Sequence, residues 1–262
     1  MTKNDPASDP AHDTALIQTS DLTRALALLT RLPVSVGQTE RDAARAAWAY
    51  PIVGLFPAAL SGLIGSLAMT LGLGAAIASI LALGTGAIVT GALHEDGLAD
   101  CADGFWGAWT TKRRLEIMRD SRIGAYGVLT LIVTFAMRWA ALSALFETDL
   151  GVAALLAAGA ISRASMPALM TFLPPARPGG LSHHVGRPPL ASTALALAIT
   201  TVIALFILGH AAPAVLFGAG LTTMAVGVLA MFKIGGQTGD VLGATQQSVE
   251  LTVLLILVGL NV

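Results

Sequence analysis

Apolar runs of about 20 residues recur along this chain, and few folds can hold them. A helix of that length spans the hydrocarbon core of a bilayer. Inside lipid every backbone N–H and C=O must be satisfied within the protein, which favours helices here. Six runs qualify, at 49–72, 74–93, 124–146, 150–173, 190–210 and 213–232. A seventh, 249–262, is shorter and suits a tilted or partly interfacial helix as well as a crossing. The expected fold is therefore an all-α integral membrane protein, a polytopic bundle of about six to seven transmembrane helices. Composition agrees: 12% of residues are charged, roughly half the usual share of about 25%. Small residues, as in SGLIGSLAMTLGLG, suit close helix packing. Pro51 and Pro57 are expected to kink or delay the first span.

Residues 1–21 are polar and proline-dotted, without the basic start and apolar centre of a signal peptide. They read as a disordered tail, followed by a single membrane domain over 22–262. A net charge of -1 gives no sign of a nucleic-acid partner, and the single cysteine, Cys101, excludes an internal disulfide framework.

The positive charges fix an expected orientation. Arg24, Arg31, Arg41 and Arg45 precede the first span, and Lys112, Arg113, Arg114, Arg119 and Arg122 separate the second from the third. Arg177 and Arg187 separate the fourth from the fifth, and Lys233 follows the sixth. The alternate connections carry no Lys or Arg. By the positive-inside rule all the charged loops face the cytoplasm.

On that face lies HEDGLADCADG, residues 94–104. If it is helical, Asp96, Asp100 and Asp103 share one stripe, where like charges repel. A divalent cation reverses the sign of that interaction, and Mg²⁺ prefers carboxylate oxygens shared with substrate phosphates. A solvated acidic cap to the span is the plainer alternative. A zinc-protease HExxH is excluded, because Leu98 stands where the second histidine belongs.

Three other stretches share this face. TKRRLEIMRDSRIGAYG, 111–127, gathers arginines around Asp120 and reads as a lipid-attracted basic helix or a polyphosphate grip. In the second case Asp120 is a metal ligand or a base. KIGGQTGDVLGATQQ, 233–247, supplies Gly235, Gly236, Gln237, Thr238, Gly239 and Asp240, either as an anion-binding turn or as a plain connection. PPARPGGLSHHVGRPP, 174–189, carries His183 and His184 and reads most simply as an exposed loop. Within the spans, Arg138 suggests structural pairing, and Arg163 lies nearer the charged face.

Together, HEDGLADCADG, LEIMRDSRIGAYG and GGQTGDVLGA, with TRLPV at 30–34 and YPIVG at 50–54, resemble the cobalamin synthase family, the adenosylcobinamide-GDP ribazoletransferases. The match runs from about residue 22 to the C-terminus. It implies a multi-pass, Mg²⁺-dependent enzyme of the bacterial inner membrane with active-site loops in the cytoplasm. The implied reaction joins adenosylcobinamide-GDP to α-ribazole or its 5'-phosphate, releasing GMP. Asp96, Asp100 and Asp103 would hold Mg²⁺, and Asp120 or Asp103 would act as base. His94, Arg119, Arg122, Arg163 and the 235–240 loop would contact substrate or phosphate. Self-association and contact with other corrinoid-assembly enzymes are both open.

Two other classes fit less well. A CDP-alcohol phosphotransferase needs Ala-Arg after its DGxx, where this chain has Asp100-Cys101. A cation transporter usually places acids near the bilayer midplane, where these apolar runs carry almost none.

Overall fold

The computed structural model describes residues 15–36 and 42–260. Among them regular structure is helical, with one isolated backbone bridge between Pro175 and Gln237. Helix α1 covers Thr19–Leu29, so residues 19–21 of the expected tail form a first helical turn. Asp21 is buried there, accepting 2.8 Å from the Trp48 indole nitrogen. Of the rest of that tail, residues 1–14 fall outside the described residues.

A 3₁₀ stretch, Ala43–Ala49, leads into α2, Tyr50–Thr70. Pro51 sits in its first turn, where the missing N–H costs nothing, and the helix continues through Pro57. Helix α3, Gly74–Thr90, ends at Gly91 in the left-handed conformation. The chain then turns by 89° into α4, Leu93–Gly107, which carries the acidic motif. Next come α5 (Thr111–Ile117), α6 (Ala125–Glu147), α7 (Gly151–Phe172) and a single turn, α8 (Leu181–Val185). Helices α9 (Leu190–Leu208), α10 (Ala212–Ile234) and α11 (Gly239–Gly259) complete the bundle.

By length and apolarity five stretches qualify as crossings, or six if α3 and α4 count together. The longest, Leu190–Ile234, is itself double. Its start is tied to the end of α7, where the Thr171 hydroxyl donates to Pro188 O. Its far end returns to the same place, where Gln237 N–H donates to Pro174 O at 2.8 Å. Gly209, with φ of 53°, makes the reversal. Helices α2, α3, α6, α7, α9, α10 and α11 thus run between two rims, and α4 lies past the bend at one of them. Helices α2 and α7 pack backbone to backbone: a Cβ on Gly54 would stand 2.2 Å from the Gly159 carbonyl oxygen.

The last helix departs from expectation. It begins at Gly239, well before the expected 249, because Thr238 caps it and its polar residues face inward. Gln246 and Gln247 are buried rather than part of a loop. Glu250 accepts from Arg138 and Arg163, both at 3.2 Å, and from Gln246 at 2.7 Å. Glu95 of α4 joins this network, 3.6 Å from Arg138 and 3.0 Å from Gln247. The spans therefore hold a buried acid that the apolar pattern did not reveal.

Removing one member of such a network strands the others in lipid, at a cost of about 3–5 kcal/mol. Arg138→Met is expected to lower the thermal midpoint of the detergent-purified protein strongly, read as loss of the monodisperse peak after heating. A midpoint equal to wild type would contradict this.

Candidate functional site

Three helices meet at the rim because three sequence motifs interlock. Helix α4 crosses the first turns of α11 at Gly97 and Gly243. A Cβ on Gly97 would lie 2.8 Å from the Asp240 carbonyl oxygen, and one on Gly243 would lie 3.2 Å from His94 Cα. Glycine at both places lets the two backbones come together, most tightly at Gly97, and that contact sets Asp240 among the acids of α4.

The second lock joins α4 to α6. Asp103 accepts from the backbone N–H of Gly124 at 2.7 Å and of Gly127 at 2.9 Å. It thereby caps α6, satisfying N–H groups that a helix start leaves unpaired. A Cβ on Gly124 or Gly127 would come within 2.5 Å of that carboxylate. Asp103 was expected as a metal ligand or base, yet both of its oxygens are engaged by backbone amides.

The third lock ties the glycine-rich turn to the 174–189 loop. Gly235, with φ of 76°, ends α10 in the left-handed region. A Cβ on Gly236 would stand 2.2 Å from Pro174 O. Ala176 N–H donates to Gln237 O at 2.8 Å, and the Ser182 hydroxyl donates to the Gln237 side chain. Thr238 caps α11 and also donates 3.1 Å to Asp240. Gly239 lines a small recess between the two loops together with Gly180 and His183.

This arrangement delivers Arg177. Its guanidinium donates to Asp240 at 3.2 Å and to Leu115 O at 3.2 Å. It came from a loop whose proline and glycine content suggested plain exposure, and nothing in the local pattern marks it out. Arg119 reaches the same loop, donating to Pro178 O at 3.4 Å.

Asp96, Asp100 and Asp240 form the electrostatic centre. Asp100 lies on α4, outside the crossing segments. Burial, followed by the neighbouring charges of Asp240, Asp96 and Asp103, pushes its carboxyl up to about 7, and Arg177 partly opposes this.

Other expected residues lie elsewhere. Asp120 and Arg122 hold each other at 2.7 Å in an exposed turn, which keeps the Asp120 carboxyl low, at about 2. Neither joins the acids: two residues apart in a tight turn, they satisfy one another. Arg163, expected to contact phosphate, donates to Glu250 and Ser162, each at 3.2 Å, inside the bundle. His94 is buried with only 1% exposed, below the acids rather than at the solvent edge.

A metal can be tested against this geometry. Among the described residues, no group of three or more His, Cys, Asp or Glu side chains is gathered tightly enough to hold an ion. Mg²⁺ is commonly held by one or two carboxylates together with substrate phosphates and water. Asp96 and Asp100, with Asp240 beside them, supply that kind of donor set. A large cavity between α7, α9 and α10 is lined by apolar and hydroxyl side chains without an acid and lies apart from this centre.

Comparison with known proteins adds an independent line. Residues 21–258 match a family model described as cobalamin-5-phosphate synthase. A curated adenosylcobinamide-GDP ribazoletransferase of Bradyrhizobium diazoefficiens is 45% identical, over 94% of this chain and 96% of its own length. Proteins of the same name from Mesorhizobium japonicum and Brucella ovis are 44% and 39% identical, over 90% and 91% of this chain and 92% and 96% of their own lengths. No solved structure matches the chain.

The two acids of α4 separate in their expected effects. Asp103→Asn removes charge-assisted bonds worth about 1.5–3 kcal/mol each and should lower the thermal midpoint in detergent. Asp100→Asn, which relieves repulsion, should leave the midpoint equal or higher. The reverse order of midpoints would overturn the capping role of Asp103.

Proposed function

The chain belongs to the cobalamin-5-phosphate synthase family, and on that premise we propose that it is an adenosylcobinamide-GDP ribazoletransferase. It moves the adenosylcobinamide-phosphate group onto a ribose hydroxyl of α-ribazole or its 5'-phosphate. The observation that carries this reading is the meeting of Asp96, Asp100, Asp240 and Arg177 at one rim.

In the reaction the ribose oxygen forms a bond to the phosphorus attached to cobinamide. The bond from that phosphorus to the bridging oxygen breaks, GMP leaves with the electron pair, and the hydroxyl proton passes to a base. Arg177, held between Asp240 and Leu115 O, is placed to receive an anionic phosphate beside the acids. The N-terminus of α11, at Gly239, adds its dipole to the same place. Asp103 acts as a positioning residue, holding α4 on α6. Asp100 replaces Asp120 as the preferred base or ligand, since Asp120 is spent on Arg122.

Mg²⁺ is the proposed cofactor, held by Asp96 and Asp100 with Asp240 near. When bound it supplies charge neutralisation on the diphosphate. The proposed setting is the bacterial inner membrane with this rim in the cytoplasm, supported by the run of Lys and Arg in the rim loops.

Purified protein given adenosylcobinamide-GDP, α-ribazole and Mg²⁺ should release GMP stoichiometrically with a ribazole-containing corrinoid. Chelation should stop it, and Asp100→Asn should cut turnover by about 100-fold or more, on the scale of a lost electrostatic contact in a transition state. No GMP from wild type would defeat the reading. Single cysteines at Lys112 and His183 should react with impermeant maleimide in inverted membrane vesicles and not in intact cells; the opposite pattern would reverse the orientation.

A further inference from the structure

The cavity between α7, α9 and α10 holds about 560 Å³ and lies among the crossing helices. Small residues hollow it out, Ala168 on α7 with Ala219 and Gly220 on α10. Leu197, Met224 and Val228 also line it and are exposed, so it opens sideways at the surface of the bundle. Three of its hydroxyls are spent on carbonyls of their own helices, Ser165 on Ser162 O, Thr201 on Leu197 O and Thr223 on Ala219 O. The fourth, that of Thr200, is covered by protein. Water does not persist in so apolar a hollow, and an empty one forfeits the packing contacts of its walls. Between crossing helices, hydrocarbon fills it.

Its proportions decide which kind. The lining runs from Leu216 to Met231 on α10, about 22 Å at 1.5 Å per residue, which gives a mean cross-section of about 25 Å². A helix with its side chains is about 10–12 Å across, several times that section. The groove takes an extended hydrocarbon chain and is too narrow to seat a helix. A cation stands at its rim end, where Phe172 and Leu173 line it. Arg187, in the loop entering α9, donates from Nε to Thr171 O at 2.7 Å. Among the described residues the two terminal nitrogens of this guanidinium meet no acceptor. Such a pair matches two oxygens of one phosphate. We propose that the groove is a phospholipid site, with one acyl chain between α9 and α10 and the headgroup phosphate on Arg187. The site stands independently of the transferase reading, since none of these residues belongs to the acid centre.

Gly220 gives a direct test, because a Cβ there meets no atom within 4 Å and a larger side chain can enter the groove. Native mass spectrometry of the full chain in mild detergent reads the bound lipid. Delipidated wild type titrated with phosphatidylglycerol should retain one lipid. Gly220→Trp should weaken that binding by about tenfold or more, the scale of a pocket mismatch. Diacylglycerol of the same chains lacks the phosphate and should bind wild type about tenfold or more weakly, the worth of one charge-assisted contact. Arg187→Gln should erase that difference. If Gly220→Trp does not insert, Gly220→Leu replaces it, with the same direction of effect. Equal lipid retention by wild type and the Gly220 variant overturns the groove, and an unchanged preference in Arg187→Gln overturns its headgroup end. A wild-type dimer that the Gly220 variant breaks would give the groove to a second copy of the chain and also overturn the proposal.

Discussion

The site depends on one backbone contact, where α4 lies across α11 at Gly97 and Gly243. Two helices whose axes approach this closely have no room for a Cβ between them. A methyl group at Gly97 would meet the Asp240 backbone, push α11 away and carry Asp240 and Arg177 out of reach of Asp96 and Asp100. The acids repel one another, so the site stores unfavourable electrostatics that the glycine contact must hold. That is tolerable when a cation and a diphosphate occupy the centre, and costly otherwise. The capping of α6 by Asp103 fixes the other end of α4, so the helix is pinned along its length.

Behind that helix lies a second layer of charge. Glu95 precedes Asp96 in sequence but points to the other side, into the network of Arg138, Glu250, Arg163 and Gln247. Desolvated charges in lipid persist only when paired. Here the pairing ties α4 to α6, α7 and α11 and fixes the rotation of α4 about its axis. Because adjacent helical residues diverge by about 100°, anchoring Glu95 inward turns Asp96 toward the rim. The same turn of α4 buries His94, one residue earlier.

Much of this was legible in the sequence, and the failures have particular causes. The crossings followed from apolar run length, because lipid tolerates little else. The acidic stretch read as a helix with Asp96 and Asp100 on one stripe, and α4 has that form. The start of α11 was misplaced because Gln246, Gln247 and Glu250 look hydrophilic, while their partners come from distant helices. The pairing of Arg163 was hidden for the same reason: its partner, Glu250, lies far away along the chain. Asp120 and Arg122 pair locally, and sequence proximity alone could not separate a pair from a site. Arg177 was undervalued because its place depends on the Pro174–Gln237 backbone bonds, which no local pattern encodes.

The membrane location acquires a physical rationale from the make-up of the site. Packed apolar helices and a charged, hydrated rim place opposite demands on a chain, and a membrane-embedded bundle separates them. At the rim of a bundle they are met on two sides of one helix turn. Tyr50, Met166 and Met170 are buried in the protein and line an apolar recess beside the acids. Arg177, Asp240 and Asp96 line the same recess and supply its charge. Lipid-embedded helices supply the apolar half simply by being there, which leaves the short rim segments free to carry the chemistry.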